Sequence, residues 1–150
     1  MKKQAMKKQR GVYVIEFTLV AAVFFVLLFA AIEFGRLLFT YNVLHEASRR
    51  AARLASVCQV SSDINSISLF NDAAILPNLS ASNLTISYLA YDGTVATGID
   101  IDLVRAEINN YQHQFLVPGL YRTINSPTFS TTLPRESLGV FKGGTTDCSL

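Results

Sequence analysis

The sequence predicts an α+β fold in which one long N-terminal helix leads into a small domain with an antiparallel sheet. The helix is predicted by an apolar run, Val12–Ile32, and by a helical spacing of apolar residues that continues after it. The sheet is predicted by later stretches in which apolar and polar residues alternate, as they do in half-buried strands. Because the strands follow the helix and are not interleaved with helices, the pattern is typical of an α+β protein.

The apolar run is long enough to cross a membrane, since a spanning helix needs roughly 20 residues. A leader of residues 1–11 precedes it and contains no acid and five cations: Lys2, Lys3, Lys7, Lys8 and Arg10. Short cationic segments stay in the cytoplasm, so we expect a single-pass protein with a cytoplasmic N-terminus and everything after about Ile32 outside. A cleaved signal peptide fits less well, because the run is long and Leu28-Phe29-Ala30 is a poor cleavage site.

The helical period continues from Glu33 to Val57. One face carries a stripe of apolar and small residues at spacings of three and four: Leu37, Tyr41, Leu44, Ser48, Ala51 and Ala55. Proline, which would break a helix, is absent before Pro77. We therefore expect residues 12–58 to form one transmembrane helix and its extracytoplasmic continuation, on the order of 70 Å long.

Residues 59–150 predict a small α+β domain. A cap at Ser61, followed by apolar residues at helical spacing, predicts a short helix that Pro77 ends. Alternating residues predict three strands: one at 84–91, one that starts at Val104 and runs toward Pro118, and one at 128–133.

Two further expectations concern the turns and the C-terminal part of this domain. Asp92-Gly93 is a strong hairpin signal, with Thr94–Thr97 as the returning strand. After Gly139 the chain is a Gly-rich tail whose only predicted anchor is Cys148.

The chain has two cysteines, Cys58 and Cys148. The predicted topology places both in a compartment that permits disulfides, and the even count makes one bridge the simplest arrangement. An intermolecular bridge is the alternative. Closing so long a loop would stabilise the domain by roughly 4–5 kcal/mol in the chain-entropy model.

The composition and the missing motifs argue against catalysis. The formal charge is only +2, and the cations flank the apolar run instead of forming a patch for nucleic acid. No nucleophile elbow, Cys-x-x-Cys pair, zinc-protease motif or phosphate loop occurs. His45 and His113 lie far apart in sequence and are interpreted as surface or packing residues. We expect no enzymatic activity, cofactor, metal, nucleic acid or small-molecule substrate.

Glu33 and Arg36 have the spacing of a helical ion pair at the outer end of the apolar run. We expect this pair to be exposed to water and to contribute only a few tenths of a kcal/mol. A role as a stop-transfer signal is the alternative interpretation. Gly35, between the two, would permit the close approach of another helix.

The first part of the chain, RGVYVIEFTLVAAVFFVLLFAAIEFGRLL, resembles the N-terminus of the TadE-like pseudopilins, which are accessory proteins of tight-adherence (Flp) pilus systems. The resemblance is clearest over Gly11–Ala55, and later only a general plan with a late Arg135-Glu136 pair agrees. It rests on a glycine before the apolar run, a glutamate at its fifth position and a box at its outer end: Gly11, Glu16, Glu33, Phe34, Gly35 and Arg36.

The resemblance implies that a prepilin peptidase cuts between Gly11 and Val12. The new α-amine of Val12 would be cationic, and Glu16, one helical turn away, would pair with that amine in its own or a neighbouring subunit. A carboxylate in a membrane helix is costly and usually functional. The alternative interpretation is that Glu16 only reaches the lipid headgroups.

The resemblance further implies a pilin-like fold and a non-enzymatic minor pseudopilin that supports assembly of a type IVb adhesive pilus and thereby biofilm formation. The implied location is the bacterial inner membrane, with a periplasmic C-terminal domain that could join the pilus. The implied partners are the peptidase, the major pilin, a second pseudopilin and an inner-membrane platform. Two alternatives stay open: a pseudopilin of a type II secretion system, and a signal-anchored periplasmic binding module or enzyme, which leaves Gly11 and Glu16 unexplained.

Overall fold

A computed structural model of the protein describes residues 10–60, 76, 78–116, 122–146 and 148. Its first element is a single helix, α1, Arg10–Val57, of 48 residues. At 1.5 Å per residue this helix is about 72 Å long. The predicted α+β fold with a long N-terminal helix is confirmed, whereas the short helix predicted after Ser61 lies outside the described residues.

The first half of α1 is not buried by any other described part of the chain. No residue between Val12 and Ile32 is buried, and this segment is apolar and long enough to cross a membrane. The hydroxyl of Thr18 in this segment is satisfied within the helix, since Thr18 Oγ1 donates a hydrogen bond to Val14 O at 2.7 Å. In lipid such internal pairing is required, because no water is available to bind polar groups.

Within the described residues, the strands form one three-stranded sheet and two short ribbons. In chain order they are β1 (Leu84–Leu89), β2 (Leu103–Ile108), β3 (Gln112–Gln114), β4 (Thr123–Asn125), β5 (Phe129–Pro134), β6 (Val140–Phe141) and β7 (Gly144–Thr145). The main sheet has the order β1-β2-β5, and β3 pairs with β4 and β6 with β7. All pairs are antiparallel. Two 3₁₀ turns, Ala81–Asn83 and Gly98–Asp100, precede β1 and β2.

The core lies between the second half of α1 and one face of the main sheet. The buried stripe of α1 includes Leu44 and several small residues, namely Ser48, Ala51, Ala52 and Ala55. It packs against the sheet face that carries the alternate buried residues of β2, which are Val104, Ala106 and Ile108. Small side chains allow the helix backbone to approach the sheet closely. The contact is also polar at one point, where Ser48 Oγ lies 2.9 Å from Thr131 Oγ1 of β5.

The predicted returning strand at Thr94–Thr97 is wrong. The turn itself forms, with Gly93 at φ +85° and its N–H donating to Ala90 O at 3.0 Å. Pairing then stops after one bridge, between Leu89 and Val95. The partner of β1 is β2 instead, because β2 offers a full row of core-facing apolar residues, whereas the side chain of Val95 is exposed.

Backbone hydrogen bonds, as well as the predicted contact through Cys148, attach the C-terminal part of the chain to the end of α1. Thr146 O accepts a hydrogen bond from Gln59 N at 3.3 Å, and Leu138 N donates to Ser56 O at 3.1 Å. Gly139 has φ +76°, and a Cβ there would lie 2.6 Å from Gln59 N. Only glycine therefore fits where the chain crosses the end of α1.

The structure contains a disulfide between Cys58 and Cys148, which are 90 residues apart. Cys58 directly follows α1 and is buried, and its N–H donates to Leu54 O at 2.8 Å. The bridge therefore joins the tail to the outer end of the helix. This is the arrangement that the even cysteine count predicts.

Candidate functional site

The residues singled out at the front of the chain lie in the first turns of α1. Gly11 and Val12 are exposed, and nothing lies within 4 Å of the position that a Cβ on Gly11 would take. Glu16 is also exposed, and among the described residues it has no hydrogen-bond or ion-pair partner. Residues four apart on a helix lie on the same face, so the carboxylate of Glu16 stands above Val12. An α-amine made by cleavage before Val12 would lie within reach of a carboxylate from the same or an adjacent helix.

The outer end of the apolar stretch carries a buried carboxylate. Glu33 is only 6% exposed. Its Oε1 accepts hydrogen bonds from Arg36 Nη1 at 2.7 Å and from His113 Nε2 at 3.2 Å. Its Oε2 accepts a hydrogen bond from the N–H of Leu116 at 3.4 Å. One side chain of α1 thus binds both its own helix and the segment that continues β3.

His113 completes this cluster. Its side chain is buried, and its Nδ1 lies 3.4 Å from Thr40 Oγ1, two turns along α1 from Glu33. An ionised carboxylate can only accept hydrogen bonds, so Nε2 of His113 carries a hydrogen and donates the hydrogen bond to Glu33. The ring also packs edge-on against Phe115, with centroids 5.5 Å apart. We call Glu33, Arg36, Thr40 and His113 the exit cluster.

The exit cluster favours the charged form of Glu33. Burial raises the pKa of Glu33, but the hydrogen bonds from His113, Leu116 N and Arg36, with the charge of Arg36, outweigh it and lower the pKa below its ordinary value of 4.5. The prediction that the Glu33–Arg36 pair is water-exposed is therefore wrong. The ion pair itself exists, but the domain covers it.

The structure divides the predicted Glu33-Phe34-Gly35-Arg36 box into two parts. Glu33 and Arg36 face the domain, while Phe34 is 61% exposed and Gly35 is open to its surroundings. The close approach of another helix at Gly35 stays a prediction. Sequence reasoning did not connect Glu33 with His113, and 80 residues separate the two.

Other candidate residues have structural contacts. Arg135 Nη1 donates to Ile99 O in the turn Gly98–Asp100 at 3.0 Å. The backbone N–H of Glu136 donates to Ser56 O at 3.3 Å, which attaches the chain after β5 to the end of α1. His45 is exposed on α1. Within the described part of the chain, no group of three His, Cys, Asp or Glu residues could hold a metal ion.

The fold and the exit cluster define a class of protein. In this class, the first half of one long helix is apolar enough to span a membrane, and the second half packs against a small sheet. Within this class, the family model of the TadE-like proteins matches residues 11–53. The match confirms the predicted resemblance and makes the chain similar to proteins of Tad pilus systems over this helix. It includes Gly11, Glu16 and the box, and it ends before the sheet begins. No curated protein and no solved structure matches the chain.

Proposed function

We propose that this protein is a non-enzymatic minor pseudopilin that supports assembly of a Tad (type IVb) adhesive pilus. One observation carries the proposal: the TadE-like match falls on a helix whose first half is apolar and unburied. Such a helix fits a single-pass membrane anchor. Its expected partners are other Tad pilus proteins, namely the major pilin, a second pseudopilin and the inner-membrane platform.

The proposed topology places the leader in the cytoplasm and the sheet domain in the periplasm. The cationic residues before Val12 support this orientation through the positive-inside rule. The disulfide between Cys58 and Cys148 also supports it, because the periplasm is oxidising and the cytoplasm is not.

The proposed processing step is cleavage between Gly11 and Val12 by a prepilin peptidase. Gly11 has no side chain, and nothing lies within 4 Å of the position that a Cβ there would take, which suits the small-residue site that such a peptidase needs. N-terminal sequencing of the protein extracted from membranes should read VYVIEF. A mature protein that begins MKKQ, or that begins after Ala30, would contradict the proposal.

The proposed role of Glu16 is to bind the α-amine of Val12 in the same or an adjacent subunit. The substitution Glu16→Gln keeps the size of the side chain and removes its charge. Membrane insertion should persist, since a neutral amide is less costly in hydrocarbon than a carboxylate. Crosslinking to the major pilin or to itself, and the number of surface pili, should fall sharply, while cleavage after Gly11 continues.

The matched control for this experiment is Glu46→Gln. Glu46 forms an exposed pair with Arg50 at 3.1 Å, and such pairs contribute little. Glu33→Gln is unsuitable as a control, because Glu33 is buried in the exit cluster. Normal crosslinking and normal piliation in Glu16→Gln would show that Glu16 only reaches the lipid headgroups.

A further inference from the structure

The exposed apolar surface of α1 extends beyond the predicted membrane span. After Ile32, three large apolar side chains are about half exposed: Phe34, Leu38 and Phe39. From Val12 to Phe39 the helix rises about 40 Å at 1.5 Å per residue. The hydrocarbon core of a bilayer is about 30 Å thick, and the headgroup layers bring the total to about 40–45 Å. The apolar surface therefore fits the whole bilayer and not only its hydrocarbon.

The outward face of α1 becomes polar directly above Phe39. Its next exposed residues are Asn42, His45, Glu46, Arg49 and Arg50. This change marks the level at which the helix enters water. The boundary lies about 10 Å above Ile32 at the helical rise.

The domain contributes an apolar residue at the same level. The N–H of Leu116 binds Glu33 Oε2, which places Leu116 beside the helix just past Ile32. The side chain of Leu116 is nevertheless 68% exposed. Leu116 thus exposes an apolar side chain at a height along α1 that still lies within the headgroup layer of the bilayer.

We infer that the membrane-proximal end of the domain is embedded in the outer headgroup layer of the bilayer. The contact is made by an apolar collar, which consists of Phe34, Leu38, Phe39 and Leu116. The inference rests on the single-pass anchor proposed above and adds a lipid contact that the anchor does not itself require.

The charges beside the apolar collar agree with a lipid surface as its occupant. The carboxylate of Glu33 is turned inward and hydrogen-bonded, so Glu33 does not present a bare anion to the lipid. The Arg36 side chain is about one-third exposed and carries the cation of the pair to the level of the lipid phosphates.

The arrangement of the apolar collar favours lipid over a protein partner. At 100° per residue, Phe34, Leu38 and Phe39 spread over about 140° of the outward side of α1, with Leu116 beside the covered face. The collar therefore continues, without a break, the exposed apolar surface of the membrane-spanning stretch below it.

Single-tryptophan variants of the full chain test the inference, since the chain has no tryptophan of its own. Leu38→Trp and Leu116→Trp report the apolar collar, and Phe25→Trp reports the membrane-spanning stretch. Ile99→Trp is the control for an exposed apolar site far from the membrane, because Ile99 lies near Arg135 at the far end of α1. Each variant is reconstituted at low density in phosphatidylcholine–phosphatidylglycerol vesicles whose acyl chains carry bromine either near the headgroup or near the chain end.

We expect bromine near the headgroup to quench the fluorescence of the Leu38→Trp and Leu116→Trp variants strongly. Bromine near the chain end should quench the Phe25→Trp variant most, and neither label should quench the Ile99→Trp variant. Quenching of Phe25→Trp without quenching of Leu116→Trp would overturn the inference and leave the anchor intact. No quenching of Phe25→Trp would overturn the anchor itself.

A protein contact at the collar would give a different result. Shielding of the Leu116→Trp variant from an aqueous quencher, without quenching by bromine, would show such a contact and also overturn the inference. Formation of the Cys58–Cys148 bridge, checked on a non-reducing gel, verifies that each variant folds.

Discussion

A single carboxylate connects the domain to the helix where the helix leaves the apolar stretch. Glu33 binds Arg36 on its own helix and both His113 and the N–H of Leu116 from the domain. Removing the Glu33 carboxylate leaves Arg36 without its counter-charge and the N–H groups of His113 and Leu116 without their acceptor, which is more costly than losing an exposed pair. Glu33 therefore contributes to the attachment of the β3–β4 ribbon as well as to the ion pair.

Glu33→Gln should lower the free energy of unfolding by about 1–3 kcal/mol at neutral pH, the range for hydrogen bonds to charged groups. The pKa of Glu33 is lower in the folded state than its ordinary value of 4.5, so its contribution is complete above that value. The contribution is lost as the pH falls through the lowered folded-state pKa. The difference between the wild type and the variant should therefore shrink in acid.

Urea denaturation of the detergent-solubilised protein at neutral pH and at about pH 3 measures this difference, because the pH falls below the ordinary carboxyl pKa within that interval. Glu46→Gln serves as the control, with an expected effect of a few tenths of a kcal/mol for an exposed pair. A difference between wild type and Glu33→Gln that is the same at both pH values would mean that the charge of Glu33 does not contribute.

At the scale of the elements, the second half of α1 is held close to the sheet by its small residues. Ala55 is fully buried and belongs to a cluster with Cys58 and Val104. A larger side chain here must push the helix away from β2 or adopt a strained rotamer. The spacing between helix and sheet is thus set by alanine and serine.

Ala55→Leu should destabilise the protein by about 1–3 kcal/mol, because inserting methylene groups into a packed core costs that much. Ala31→Leu is the matched control, since Ala31 is exposed on the apolar half of the same helix. Chemical denaturation followed by circular dichroism compares the two variants. Equal stability of the two variants would show that the space between α1 and the sheet accommodates a leucine at position 55 without strain.

Patterns within single elements could be predicted from the sequence, and pairings between elements could not. The period of α1 and the alternation in β2 are local signals, and both elements occur, although β2 ends at Ile108 and does not continue toward Pro118 as predicted. Asp92-Gly93 predicted a turn correctly, but a turn signal does not say how far the returning chain will pair. The burial of Glu33 depends on His113, whose position is decided only when the sheet packs on the helix. Such tertiary contacts leave no periodic trace in the sequence.

At the scale of the whole molecule, the disulfide closes the domain onto the end of α1. Its two cysteines are 90 residues apart, and the chain-entropy model gives a stabilisation of roughly 4–5 kcal/mol for a loop of that length. The backbone hydrogen bonds from Gln59 to Thr146 O and from Leu138 to Ser56 O lie beside the bridge.

Cys148→Ser should therefore lower the unfolding free energy by roughly 2–5 kcal/mol, the range seen when a native bridge is lost from a small domain. The double variant Cys58→Ser/Cys148→Ser should be equally unstable, and reduction of the wild type should have the same effect. Thiol alkylation of the non-reduced protein checks the premise. Two alkylated thiols would show that the bridge is not formed in the cell.

The separation of the two cysteines also sets an order of events during export. In the proposed topology Cys58 emerges first, and its thiol must wait until the chain as far as Cys148 has crossed the membrane. Disulfide formation takes seconds to hours, depending on the oxidant. During that interval the exposed thiols of two newly inserted molecules in the same membrane can meet each other. Slow export should therefore increase covalent dimers joined through Cys58, and the speed of synthesis would decide how much correctly bridged protein accumulates.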